Sequence, residues 1–164
     1  MAPTKPFSPP KVYEFRSRFR APISFVYAWC TDYSPEDPRL EEEEFTRRIL
    51  ERTRRRVTYE DLYDEPTGWR WSRYVVSLRP PRRWHADVVG SHRTWSIDYV
   101  LSERPGDATE LHFRGVRRST ALAGKNPPKA ELENELREMW RKFGRALERD
   151  FRASPKKTSR RRTR

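Results

Sequence analysis

The most constraining feature of this sequence is a long amphipathic pattern near its C-terminus. In residues 128–152 the positions between the apolar side chains are mostly charged. The apolar stripe recurs at steps of three or four and comprises Leu132, Leu136, Met139, Phe143 and Leu147. This spacing predicts a long helix with one face that must be buried against another element. Gly144 interrupts the helix at a cost of roughly 1 kcal/mol relative to alanine, so we expect a close backbone contact there.

Most of the sequence before this helix has the pattern of β-strands. In residues 12–20, Tyr13, Phe15 and Phe19 alternate with charged residues, which indicates a strand with one buried and one solvated face. Turn signals such as Pro105-Gly106 separate the later candidates. The further predicted strands are residues 45–52, 57–63, 69–78, 84–89, 94–102 and 109–117.

Two short helices are predicted between the first and second strands. Pro22 suits a helix start, and Phe25, Val26 and Trp29 follow at helical spacing. A second helix is expected to begin at Ser34, whose side chain is a favourable N-cap.

The order of elements predicts one α+β domain, a curved seven-stranded antiparallel sheet closed by the C-terminal helix. This order resembles the START-like, or SRPBCC, helix-grip superfamily of polyketide cyclases, plant allergens, hormone-binding proteins and lipid-transfer domains. The opening FRAPISFVYAW of residues 19–29, followed by Thr31-Asp32-Tyr33, is similar to the family's first strand and helix. The resemblance spans residues 12–152 and implies a cavity between sheet and helix for a hydrophobic or amphipathic molecule.

The candidate ligand-binding residues come from the side chains expected to point inward. The chain has 6 Trp, 7 Tyr and 8 Phe, and aromatic rings can either line a cavity or fill a core that is poor in aliphatic residues. We predict ligand contacts from Tyr59, Trp71, Arg73, Trp84, Trp95, Tyr99, Met139 and Phe143. Trp69 is also expected on the inner face. The alternative, a packed core, stays open at this point.

Polar candidates for chemistry are few. Arg73 shares a strand face with Trp71 and, if inward, needs a carboxylate such as Asp61 or Asp98, or an anionic ligand. The alternative is that a bulge turns Arg73 outward. His85 and Asp87 are two residues apart on one strand, a spacing compatible with acid–base work, but no nucleophile accompanies them. We therefore predict no catalytic residues, no metal site and no cofactor.

The positive charge is concentrated at the C-terminus. The net charge is +12, and six of these charges lie in residues 153–164, which contain no acidic residue. Such a tail, together with Arg-rich strand faces, favours contact with nucleic acid or ribosomes. The candidate nucleic-acid-binding residues are Lys156, Lys157, Arg160, Arg161, Arg162 and Arg164. The alternative is a tail that only keeps the protein in solution.

The remaining expectations concern organisation and location. Residues 1–11 are predicted to be an extended lead-in, 12–152 the domain, and 153–164 a disordered basic tail. A single cysteine, Cys30, and the lack of a long apolar run favour the cytosol. The leading hypothesis is a noncatalytic carrier or sensor of a hydrophobic small molecule. The alternatives are a nucleic-acid- or ribosome-associated protein and a cyclase-like enzyme.

Overall fold

The structure is a computed structural model and describes residues 7–40, 44–66 and 68–155. Its single sheet contains seven antiparallel strands in the spatial order β1-β7-β6-β5-β4-β3-β2. The strands are β1 Lys11–Phe19, β2 Phe45–Arg52, β3 Arg56–Glu65, β4 Gly68–Arg79, β5 Arg83–Gly90, β6 Arg93–Arg104 and β7 Ala108–Ser119. The predicted α+β helix-grip architecture is confirmed, and the strand ends lie within about two residues of those expected from alternation.

The helices also follow the sequence pattern. Helix α1 spans Ile23–Cys30, and α2 spans Lys129–Ala153. The second short helix is a single 3-10 turn, Asp37–Leu40, which begins three residues later than expected. Ser34 lies outside it, and its hydroxyl accepts a hydrogen bond from the backbone N–H of Glu36 at 3.1 Å. None of the helices in the described ranges is long and apolar enough to cross a membrane.

Helix α2 lies over the inner face of the sheet and is fixed to the free edge of β1. The Glu133 carboxylate accepts a hydrogen bond from the backbone N–H of Glu14 at 2.7 Å, and Glu148 accepts one from Arg20 N–H at 2.8 Å. These carboxylates satisfy edge-strand donors that would otherwise have only water as a partner. The helix is therefore held close to β1, at one side of the sheet.

The core lies where α2 meets β1 and β7. Tyr13, Phe19, Leu111 and Leu147 are at most 1% exposed. A Cβ at Gly144 would lie 3.2 Å from two ring carbons of Phe19, so the absence of a side chain lets the helix approach β1 closely. This contact confirms the expectation from the glycine in the helix pattern.

Candidate functional site

A cavity of about 680 Å³ lies between the sheet and α2, on the side away from the β1 contact. This volume falls within the range of about 300–1,000 Å³ that is usual for small-molecule sites. Six of the eight predicted ligand-binding residues line it, namely Tyr59, Trp84, Trp95, Tyr99, Met139 and Phe143. Four come from strands β3, β5 and β6, and the last two come from α2.

The walls of the cavity consist largely of paired aromatic rings. Trp84 on β5 stacks on Tyr99 on β6 with ring centroids 4.7 Å apart and planes 7° from parallel. Tyr59 on β3 stacks on Tyr74 on β4 at 4.5 Å and 8°. Cross-strand register brings these rings together, because Trp84 lies opposite Tyr99 and Tyr59 lies opposite Tyr74. Rings held in stacked pairs form flat apolar walls that suit a planar or elongated guest.

Two predicted ligand-binding residues, Trp71 and Arg73, lie outside the cavity. Both are on the outer face of β4, where Trp71 is 40% exposed. Ser72, between them, is the buried residue and lies opposite Asp61. Arg73 pairs with Glu60 at 2.7 Å in place of Asp61 or Asp98. The inward orientation expected for Trp71 was wrong, because the inner face of β4 carries polar residues at this point. Arg73 takes the outward alternative, and it does so by regular alternation and without a bulge in β4.

Trp69 was also expected on the inner face and is 66% exposed. Trp69 lies on the same outer face of β4 as Trp71, since residues two apart in a strand point to the same face. The large rings at the start of this strand therefore face away from α2.

The polar groups considered for acid–base chemistry lie on the outer face of the sheet, away from the cavity. His85 contacts Asp98 at 2.8 Å and Asp87 at 3.1 Å, which confirms that the spacing allows an oriented imidazole. However, the buried neighbours Trp84 and Ala86 face the cavity, so His85 faces outward with both carboxylates. Nothing in this cluster can reach a molecule under α2.

An ion-pair cluster that the sequence reasoning missed occupies one end of the cavity. Arg47 on β2 donates to Asp61 through Nε at 2.8 Å and Nη2 at 2.9 Å, and to Asp37 through Nη1 at 2.6 Å. Its guanidinium also lies 4.4 Å from the ring centroid of Tyr59. Arg47 shares its strand parity with Phe45, so alternation could have placed it on the inner face.

Burial sets the protonation of the cavity's phenols and thiol. It raises the pKa of Tyr59 and of Tyr99, so both hydroxyls are neutral at physiological pH and available as hydrogen-bond donors. Burial likewise raises the pKa of the Cys30 thiol, which also lines the cavity. A thiol in this state is a poor nucleophile.

Metal chemistry gains no support from the geometry of the described residues. No group of three or more His, Cys, Asp or Glu side chains in these ranges is arranged to hold a metal ion. The candidate nucleic-acid-binding residues lie outside the described ranges; they are Lys156, Lys157, Arg160, Arg161, Arg162 and Arg164. Their role stays a prediction.

Comparison by sequence finds no matching protein family and no similar curated protein. Comparison of structures finds clear similarities. Ara h 8.0201 matches with a TM-score of 0.65 and 13% identity over 89% of this chain and 100% of that one. The Zhui aromatase/cyclase from Streptomyces sp. R1128 matches at 0.58 and 16%, over 88% and 90%. A START superfamily protein from Mycobacterium smegmatis matches at 0.58 and 12%, over 87% and 97%. Identities this low speak for architecture only, and the chain has the START-like helix-grip fold that these structures share.

Proposed function

We propose that this protein binds a hydrophobic or amphipathic small molecule in the cavity under α2 and does not transform it. The observation that carries the proposal is the cavity of about 680 Å³ with walls of stacked aromatic rings. A core made only for stability would close such a space, because empty volume lined by apolar groups costs free energy in proportion to its size. The space therefore points to a guest.

The noncatalytic part of the proposal rests on the side chains inside. The cavity tyrosines are held neutral by burial, and the Cys30 thiol is too. The imidazole considered for acid–base chemistry, His85, lies on the opposite face of the sheet. Retention of a molecule needs only shape, apolar contact and a few fixed donors.

The first experiment asks what is retained by the purified protein. A high-salt wash removes ionically held polyanions, and mass spectrometry of a denaturing extract then identifies any molecule retained in the cavity. Stripped protein is next titrated with N-phenylnaphthylamine, a neutral aromatic probe that fluoresces in apolar sites. A stoichiometric small molecule or saturable binding of the probe is the expected result.

Matched variants locate the binding site. Val88 is 2% exposed and lines the cavity, whereas the adjacent Val89 is 56% exposed on the outer face of the same strand. We expect Val88→Trp to weaken probe binding by about 10-fold or more, because a bulky ring fills the guest's volume. Val89→Trp should leave it within about twofold. Equal loss in both variants, or no binding by stripped wild-type protein, would refute the proposal.

Should Val88→Trp fail to fold, Met139→Trp fills the same cavity from the helix side. Methionine tolerates replacement better than most core residues, because its flexible side chain packs adaptably. Loss of probe binding with a retained cooperative unfolding transition supports the site. Retained binding in this variant counts against it.

A further inference from the structure

The arginines that line the cavity fall into two groups. Arg47 is neutralised by Asp61 and Asp37, Arg70 donates to Glu65 at 2.6 Å, and Arg39 pairs with Glu36 at 2.8 Å. These three guanidiniums therefore have carboxylate partners within the protein. The other group consists of Arg93 on β6 and Arg117 on β7, which also line the cavity.

Arg93 and Arg117 lie close together on the inner face of the sheet. The register places Arg117 directly opposite Trp95, and Arg93 lies two residues before Trp95 on the same face. This relation makes the two arginines diagonal cross-strand neighbours, whose long side chains are within reach of one another. The Arg117 guanidinium lies 5.7 Å from the ring centroid of Trp95.

Neither guanidinium is satisfied by the protein. Arg117 is 8% exposed, and the Nε atoms of both arginines are buried without a hydrogen-bond partner. Within residues 7–40, 44–66 and 68–155, no carboxylate forms an ion pair with either side chain. Glu135 on α2 acts electrostatically on Arg117, and Asp61 on β3 does so on Arg93. Neither carboxylate forms a hydrogen bond or an ion pair with these arginines, and Asp61 is already engaged by Arg47.

This arrangement is costly for the empty protein. Burial lowers the pKa of Arg117, and the positive charge of Arg93 lowers it further, while Tyr13 and Glu135 act in the opposite direction. A buried cation without a partner is among the more destabilising features that a fold can contain. Arg117 is such a cation, and the half-buried Arg93 places a second positive charge beside it. This pairing indicates that an anion from outside the chain completes the site.

We propose that Arg93 and Arg117 form a subsite for an oxyanion, a carboxylate or a group of the same charge and geometry, carried by the molecule that binds in the cavity. The inference rests on the proposed binding function and narrows the ligand to an amphipathic anion. Guanidinium groups suit this role, because their planar N–H donors match the oxygens of such groups in pairs. The apolar body of the ligand would lie along Trp95, Tyr99 and Phe113, which line the adjoining wall.

The indole of Trp140 supplies a further unsatisfied donor, next to the place proposed for the apolar part of the ligand. Its Nε1 is also buried without a hydrogen-bond partner, and the ring lines the same cavity. The ring lies 6.0 Å from Tyr99, centroid to centroid, and so is next to the aromatic wall. A ligand with an acceptor oxygen on its apolar part would satisfy this donor.

The experiment uses two probes that differ only in charge. Anilinonaphthalene sulfonate is N-phenylnaphthylamine with an added sulfonate, so the ratio of their affinities isolates the contribution of the anion. The protein is stripped of bound molecules, and both probes are titrated against wild type, Arg117→Met, Arg93→Gln and Arg118→Gln. Arg118 is an exposed residue on the outer face of β7 and controls for the loss of one positive charge.

We expect Arg117→Met and Arg93→Gln each to weaken binding of the sulfonate probe by about 10-fold or more, the usual worth of a buried charge-assisted contact. Binding of the neutral probe should change by less than about twofold in the same variants. Arg118→Gln should affect neither probe beyond a small, salt-sensitive change.

Thermal unfolding of the stripped protein separates a binding role from a structural one. We expect Arg117→Met to unfold at a higher temperature than wild type, because the variant removes an uncompensated buried charge. A lower unfolding temperature would mean that Arg117 serves the fold through its contact with Trp95, and would overturn the subsite. Arg93→Gln repeats the test if Arg117→Met does not fold.

The outcomes for the two proposals differ. Failure of both probes to bind wild-type protein defeats the binding function itself. Normal binding of the neutral probe, with a sulfonate affinity that the two arginine variants leave unchanged, defeats only the anion subsite. A selective loss of sulfonate binding supports both.

Discussion

Loss of Arg47 should destabilise the protein strongly, and in a way that depends on pH. The side chains of Arg47 and Asp61 are 7% and 2% exposed, and two hydrogen bonds of 2.8 and 2.9 Å join them. In Arg47→Met, Asp61 would remain buried as a carboxylate without its main partner. Removing one member of a buried pair costs about 3–5 kcal/mol, so we expect the free energy of unfolding to fall by that amount near neutral pH.

A second ion pair on the same sheet provides the control. Arg73 also donates through Nε and Nη2 to a carboxylate on the neighbouring strand, in this case to the single oxygen Oε1 of Glu60, but its side chain is 55% exposed. Exposed pairs contribute about 0–1 kcal/mol. Arg73→Met therefore removes the same kind of side chain and the same charge, and it should lower the free energy of unfolding by no more than that.

The pH dependence follows from the protonation of Asp61. Burial raises its pKa above the usual 3.8, and the hydrogen bonds and charge of Arg47 oppose this rise. Without Arg47 the pKa in the folded state rises further. Between the unfolded and folded pKa values the folded protein binds more protons, so stability falls as pH increases through that window. The loss in Arg47→Met relative to wild type should be small near pH 3.8 and largest near neutrality.

Urea unfolding of wild type, both single variants and Arg47→Met/Asp61→Leu measures these differences. The double variant replaces the pair by apolar side chains of similar shape and should recover at least about half of the lost stability at neutral pH. A loss that is equal at acid and neutral pH would refute the reasoning. So would a double variant that is no more stable than Arg47→Met.

Further predictions concern packing, titration and reactivity. Gly115→Ala places a Cβ 2.6 Å from a ring carbon of Trp95, and urea unfolding should show a loss of about 1–3 kcal/mol. The imidazole of His85 is partly desolvated, which lowers its pKa, but hydrogen bonds with Asp98 and Asp87 outweigh this and raise it above 6.5; an NMR titration should show this, and Asp98→Asn should lower the value. The stability that this cluster adds is present at acid pH and lost as pH rises through the raised pKa. Finally, Cys30 should react with a thiol reagent at mildly alkaline pH more slowly in the folded protein than in urea-unfolded protein, because burial raises the pKa of the thiol.

Element positions were predictable from the sequence because local patterns determine them. Strand β1 alternates cleanly between rings and charged residues, and α2 carries an apolar stripe at steps of three and four, with Gly144 at its contact with Phe19. The helix-grip order then followed, since one long amphipathic helix had to cover one face of the sheet. The strands, the helices and their order along the chain can therefore be predicted without knowledge of tertiary contacts.

The faces of β4 were not predictable by the same rule. In residues 69–74 large rings occur at both odd and even positions, so both faces of the strand carry them. We assigned the inner face to Trp69 and Trp71 because tryptophan is usually buried. The structure buries Ser72 instead, because this part of β4 lies beside Asp61 at the polar end of the cavity. A strand that crosses a polar site reverses the usual pattern, and alternation alone cannot show where that happens.

The ion pairs and the volume of the cavity depend on register and on helix position. Arg47 meets Asp61 only because the β2–β3 pairing sets them opposite each other. The space under α2 exists because Glu133 and Glu148 hold the helix to the edge of β1, away from β5 and β4. The sequence does not show these contacts. Glu133 and Glu148 bond to residues that are distant along the chain, and the Arg47–Asp61 pairing depends on the bulge between Ile49 and Glu51.

The placement of positive charge, more than its total, bears on what the protein binds. The net charge of +12 describes the whole chain, and an exposed arginine such as Arg73 is solvated and costs the fold little. Arg93 and Arg117 are different, because they are held inside a cavity with no carboxylate partner among the described residues. A site for a wholly apolar guest would be more stable and would bind better with apolar residues at these positions. Unpaired arginines make sense in this cavity if the guest itself supplies the negative charge.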